Sequence, residues 1–295
     1  FVGWMHFLRA ARESPADLSR PTSFCWTESK NYVETFVNRY KHSPAIWAWQ
    51  IHNEMSSGDG PEYAAAWNVD GSTASWLNWG NHPAGGTWLS SDKMSPRQYV
   101  MHTERMRDII KAIDPYARMV LLGNAHGNSF ALNAKSLANM SPDTEAQWNS
   151  HAMAEFMPWV TWKDRAGDAI TAHTYPQNIS NGRYFPGGEM TGAQFVAAQK
   201  SWADSVGKPL ILEEFGATYH GDPVDEVSTN LATETTQFTE LLNSITINDI
   251  QMASVWNYRG DLTAPAAPWM AWDLSNPARA YQLVALANLQ RQISI

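Results

Sequence analysis

Short apolar runs alternate with longer amphipathic stretches along most of this chain, and the alternation sets the first expectation. Residues 1–7 ("FVGWMHF"), 45–51 ("AIWAWQI"), 118–123 ("RMVLLG"), 168–175 ("DAITAHTY"), 209–215 ("PLILEEF") and 249–256 ("DIQMASVW") read as strands. Between and after them, residues 28–40, 96–113, a segment within 145–165, 192–206, a segment within 229–245, and 277–292 carry helical spacing. Strands that alternate with helices in this way predict an α/β fold whose parallel strands are joined by crossover helices.

Polar residues collect where those strands end: Asn53 and Glu54, Asn124 and His126, His173 and Tyr175, Glu213 and Glu214, Trp256 and Asn257. In a closed (β/α) barrel these ends share the face that carries the active site. An open doubly wound sheet binds at a switch point instead, typically with a glycine-rich phosphate turn, and neither GxGxxG nor GxxxxGK[ST] occurs here. The expected fold is therefore a TIM barrel, (β/α)8 in type, in one catalytic domain over residues 1–295. A single barrel domain of this length is ordinary.

Composition narrows the chemistry. One cysteine, Cys25, excludes an intrachain disulfide and a cysteine-based metal site. A net charge of −8 without a run of Lys or Arg argues against nucleic acid and anionic membranes as partners. No apolar run approaches the ~20 residues that span a bilayer. Charged residues make up only 17%, while there are 15 tryptophans and 9 histidines. Tryptophan suits stacking on sugar rings as well as core packing. Residues 55–95, a connection rich in Gly, Ser, Asn and Asp, hold Trp67, Trp76, Trp79 and Trp88. A loop of that length is usually functional, and one or two of these rings are expected to face substrate. His52, His126, His151 and His220 lack HExxH spacing, and structural or incidental roles are expected for them.

Two glutamates at the ends of different strands, Glu54 and Glu214, suit glycosidic hydrolysis. A retaining mechanism needs one carboxylic acid for the leaving oxygen and one carboxylate nucleophile, ~5 to 5.5 Å apart. Glu213 competes with Glu214 for the second role. Strand alternation puts Leu210, Leu212 and Glu214 on one face and Ile211, Glu213 and Phe215 on the other. The same rule aims Asn53 and Glu54 at opposite faces unless the strand bends or ends at His52.

These residues carry a family resemblance. "RYKHSPAIWAWQIHNEM" resembles the strand-four signature of clan A glycoside hydrolases, and "KPLILEEFGA" resembles their strand-seven signature, with the nucleophile before an aromatic residue and Gly. "HTYP" and "SVWNY" resemble their strand-six and strand-eight motifs. Family five is the nearest, on its mannanase and endoglucanase side. The resemblance implies a retaining enzyme acting on β-mannan or β-1,4-glucan, with Glu54 as general acid/base and Glu214 as nucleophile. It implies that Asn53 bonds the sugar 2-hydroxyl, that Trp256 forms the floor under that sugar, that Tyr175 bonds the nucleophile, and that His173 lies near the acid/base. His6 matches a strand-three histidine. No cofactor and no metal are implied, and secretion is expected from the function. Only 53 residues precede Glu54, so the family's first two β/α units and the strand-two Arg have no counterpart. Three expectations stand side by side: a fragment of a longer protein, a barrel whose missing units come from another chain, or an incomplete barrel of about six β/α units, its gap covered by residues 55–95 or by a homo-oligomer contact. A catalytically impaired carbohydrate-binding protein and an exo-acting glycosidase or transglycosylase are the alternative readings.

Overall fold

The computed structural model describes residues 13, 15–53, 96–124, 164–176, 190–217, 231–257, 274 and 279–293. The expected strand at residues 1–7, the loop 55–95 and most of the segment 145–165 lie outside the described residues. The chain divides into two compact units, residues 1–171 and 172–295.

In the first unit a 3-10 turn, Pro15–Ser19, precedes helix α1, Phe24–Tyr40. Ser23 caps α1, its hydroxyl accepting from the Trp26 N–H at 3.2 Å. The Glu13 carboxylate accepts from the Phe24 and Cys25 N–H groups at 2.9 and 2.7 Å. The first-turn donors that a helix cannot satisfy internally are thus met. Buried Cys25, Ser29, Val33 and Val37 recur every fourth residue and define the inward stripe. Strand β1, Ala48–Gln50, helix α2, Pro96–Ile113, and strand β2, Met119–Leu121, follow. β1 and β2 pair in parallel, Trp49 opposite Val120, a geometry that a short hairpin cannot connect. Trp26, Val33, Val37, Trp49, Ile51, Met106, Ile110, Val120 and Leu122 close one core between these helices and strands.

A buried charge pair ties the far ends of those strands. Asp114 accepts from the Trp49 indole at 2.5 Å and from Arg118 at 2.9 and 3.1 Å. Arg118 also donates to the carbonyls of Lys41, Ser43 and Ile46, so one guanidinium fastens the turn before β1 to the turn before β2. Burial pushes the Asp114 carboxyl up, but the donors Trp49, the Tyr116 N–H and Arg118 together outweigh it and hold it below the usual carboxylate range.

At the opposite ends a chain of buried side chains fixes His52, just past β1. The Asn124 side-chain amide donates to Asp164 in a second 3-10 turn, Asp164–Ala166. Its carbonyl oxygen therefore accepts from the Tyr99 hydroxyl, at 2.5 Å. That hydroxyl has spent its one hydrogen, so His52 Nε2 must donate to it, at 2.9 Å. Gly123, at φ 72°, completes the arrangement: a Cβ there would lie 1.7 Å from the His52 carbonyl oxygen, so the close approach of the two strand ends requires glycine.

The second unit holds most of strand β3, Ile170–Thr174, then helix α3, Gly192–Ser205, strand β4, Leu210–Phe215, helix α4, Leu231–Ile247, strand β5, Met252–Val255, and helix α5, Ala280–Ile293. The strand order is β3-β4-β5, with β4 and β5 parallel. Thr191 and Gln194 form a reciprocal capping box on α3. β3 is buried at every position, as expected for a strand covered on both faces. α4 and α5 are joined by a buried cluster in which Glu234 accepts from Arg279, Tyr281 and Gln282. The helices match the expected stretches closely, α2 over the whole of 96–113. The strands are shorter than the apolar runs that predicted them.

Three substitutions test these ties. Asp114→Asn is expected to cost about 3 kcal/mol at neutral pH, the lower end for breaking a buried pair, because Arg118 keeps its carbonyl acceptors. A carboxyl depressed in the folded state stabilises above its unfolded value, here 3.8, and loses that contribution as pH falls through its folded value. Denaturant melts should therefore show the wild-type advantage at pH 7 and its loss on acidification below 3.8. Tyr99→Phe leaves His52 Nε2 and the Asn124 oxygen without this partner and is expected to cost about 1–3 kcal/mol. Gly123→Ala should cost more, read as a larger drop in Tm.

Candidate active site

The strongest concentration of chemistry among the described residues lies at the C-terminal ends of β3 and β4. The Tyr175 hydroxyl donates to Glu214 Oε2 at 2.7 Å. His173 Nδ1 stands 3.2 Å from the same oxygen, and its Nε2 stands 3.9 Å from Glu213 Oε2. The imidazole is fully buried, and the Glu213 and Glu214 side chains are only 6% and 13% exposed. Three residues assigned by resemblance, His173, Tyr175 and Glu214, therefore share one cluster. His173 contacts Glu214; Glu54, which it is expected to lie near, is outside the described residues.

The alternation expected for β4 needs correction. β4 pairs with β5 through Leu212 opposite Ala253 and Phe215 opposite Val255. Three residue steps in β4 thus match two in β5, and the extra residue falls within Glu213–Glu214. A bulge breaks the period-two rule and re-aims side chains. Two adjacent glutamates, assigned to opposite faces by sequence, here approach the two nitrogens of one ring.

Trp256 lies just beyond β5, its N–H donating to the Phe215 carbonyl at 2.8 Å. This bond holds the end of β5 beside the end of β4. Trp256 is 37% exposed. The Trp256–Asn257 peptide is cis.

Asn53, in the first unit, is partly exposed and follows the buried His52 directly. Regular strand structure ends at Gln50, so strict alternation does not govern Asn53. Glu54 and His6 lie outside the described residues, as do Trp67, Trp76, Trp79, Trp88, His126, His151 and His220. Among the described residues no group of three or more His, Cys, Asp or Glu side chains is arranged to hold a metal ion. The links that sequence reasoning missed are Tyr99, which meets His52 directly, and Asp164, which holds Asn124 against Tyr99. Their partners are distant in sequence, and only the presence of polar residues within apolar patterns hinted at them.

Comparison with known proteins places this geometry. The family model described as cellulase, glycosyl hydrolase family 5, matches residues 20–276. No curated protein matches. Among solved structures, the endo-β-1,4-mannanase of Thermotoga petrophila superposes with a TM-score of 0.55 at 16% identity, covering 93% of this chain and 52% of that one. An endo-1,4-β-mannanase from Rhizomucor miehei gives 0.51 at 17% identity, covering 92% and 64%. A family 5 mannosidase, also from Rhizomucor miehei, gives 0.51 at 15% identity, covering 90% and 58%. The chain thus spans about half the length of the first of these, and at such identities the likeness establishes the fold alone. With the family model matched over most of its length and its parallel strand–helix units superposing on TIM-barrel enzymes, the chain belongs to glycosyl hydrolase family 5.

Proposed function

We propose that the chain is the catalytic domain of a retaining glycoside hydrolase acting on a β-linked polysaccharide, β-mannan or β-1,4-glucan. The observation that carries this reading is Glu214 at the end of β4, with the Tyr175 hydroxyl at 2.7 Å and His173 Nδ1 at 3.2 Å on one oxygen. Glu213, the competing nucleophile, has its contact on the far nitrogen of the same ring, and the tyrosine donor goes to Glu214. Hydrogen-bond donors on a carboxylate favour its charged form, which a nucleophile requires.

In the first step Glu214 attacks the anomeric carbon while Glu54 transfers its proton to the leaving glycosidic oxygen. The bond from that carbon to the leaving oxygen breaks as the bond to the Glu214 carboxylate forms. In the second step Glu54 takes a proton from water, the water oxygen attacks the same carbon, and Glu214 leaves as the carboxylate. Asn53 binds the 2-hydroxyl of the sugar at the scissile bond, and the exposed face of Trp256 forms the floor beneath it. His6 contributes a further polar contact. The mannanase names of the solved relatives support trying mannan first. No cofactor is required, since two carboxylates supply the chemistry. A polymeric substrate implies a secreted protein, and no helix among the described residues is long and apolar enough to cross a membrane.

Hydrolysis of β-1,4-linked manno- and gluco-hexasaccharides tests the assignment. Glu54→Gln and Glu214→Gln are each expected to lower turnover by at least roughly 10²-fold, while the wild type releases product with the β configuration, read by proton NMR. Wild-type rates in both variants would sink the assignment. Inverted product would exclude retention. Binding without turnover by the wild type would favour a carbohydrate-binding protein, and release of one or two sugars from a chain end would favour exo action.

A further inference from the structure

We propose that Glu213 is a positioning residue for the nucleophile, acting on Glu214 through the imidazole of His173. The inference rests on the reading of Glu214 as nucleophile and extends it to a residue to which that reading gives no role. The bulge between Leu212 and Phe215 allows both carboxylates to address the same ring. Glu214 Oε2 lies 3.2 Å from Nδ1, and Glu213 Oε2 lies 3.9 Å from Nε2, on the opposite side. The ring is fully buried and the Glu213 side chain nearly so. A buried carboxylate is costly, and an apolar residue at this place in β4 would be the ordinary choice for stability alone.

The arrangement has a consequence for the reaction cycle. With Glu214 Oε2 at 3.2 Å from Nδ1, a hydrogen on that nitrogen points at Glu214 beside the Tyr175 hydroxyl. When Glu214 forms its bond to the anomeric carbon and the leaving oxygen takes the proton of the acid, the negative charge of Glu214 is consumed. The charge on Glu213 remains. It keeps the ring oriented and its Nδ1–H aimed at Glu214, so that the same donors stand ready when hydrolysis breaks the ester and returns the charge. A donor array that does not reorganise between steps is the usual source of electrostatic catalysis.

The test compares Glu213→Gln and Glu213→Asp with the wild type on the hexasaccharide that the wild type cleaves, alongside nitrogen-15 NMR of the His173 ring, assigned with His173→Asn. Loss of the charge in Glu213→Gln is expected to lower kcat by roughly 10- to 100-fold, by analogy with the partners that orient metal-ligating side chains. KM should stay within about twofold, since the lost interaction acts in the chemical steps. The ring nitrogen resonances should shift, and Glu213→Asp, which restores the charge, should turn over faster than Glu213→Gln. Should Glu213→Gln not fold, the His173 ring resonances in Glu213→Asp decide: they should shift as the carboxylate retreats from Nε2, and unchanged resonances would overturn the proposal. Wild-type turnover in Glu213→Gln, equal losses in Gln and Asp, or unchanged ring resonances would also overturn it. Full activity in Glu214→Gln would instead overturn the nucleophile assignment beneath it, and the two failures are therefore distinguishable.

Discussion

A parallel strand covered on both faces has no solvated side on which to place polar residues, so its polar chemistry is pushed to its ends. Much of the structure follows from that constraint. β3 is buried at every position, and Tyr175 follows immediately after its last residue. β4 is buried until Glu213 and Glu214. In the first unit, β1 gives way to His52 and Asn53, and β2 to Gly123 and Asn124. The apolar body of each strand anchors it, and the polar end inherits the position.

Polar groups held at such ends must be satisfied, and the chain uses different devices to do so. Around His52 the solution is a directional chain from Asp164 through Asn124 and Tyr99, in which each donor has one acceptor. Around Arg118 it is convergence, with one guanidinium meeting a carboxylate and three carbonyls. Around Glu234 several donors close on one carboxylate between two helices. At Glu213 and Glu214 the device is a change of register, which gives two carboxylates a common imidazole. The first three serve architecture. The last places titratable groups against one another, the kind of arrangement from which catalytic sites are built.

Helices were the most legible part of the fold. Residues 96–113 carry their inward positions Tyr99, Thr103, Met106 and Ile110 at helical spacing, and the helix occupies that whole span. Thr191 followed by Gln194 is a start signal that local chemistry alone can enforce. Strand limits were less legible, because an apolar run such as 45–51 does not reveal where pairing stops. Pairing depends on β2, about seventy residues away in sequence, where Ala48–Gln50 find partners and the Ile51 N–H adds a last bond to the Leu121 carbonyl.

The candidate site divides along the same line. The residue types at the strand ends, and their order along the chain, are properties of the sequence, and they were sufficient to indicate a parallel α/β fold and a pair of glutamates suited to glycosidic chemistry. The tertiary structure decided how Glu213 and Glu214 share His173, that Tyr175 donates to Glu214, and that His52 is secured by Tyr99, Asn124 and Asp164. Sequence period describes a strand by itself, whereas a bulge exists only relative to the partner strand, and a hydrogen bond across 39 residues exists only once both ends are packed.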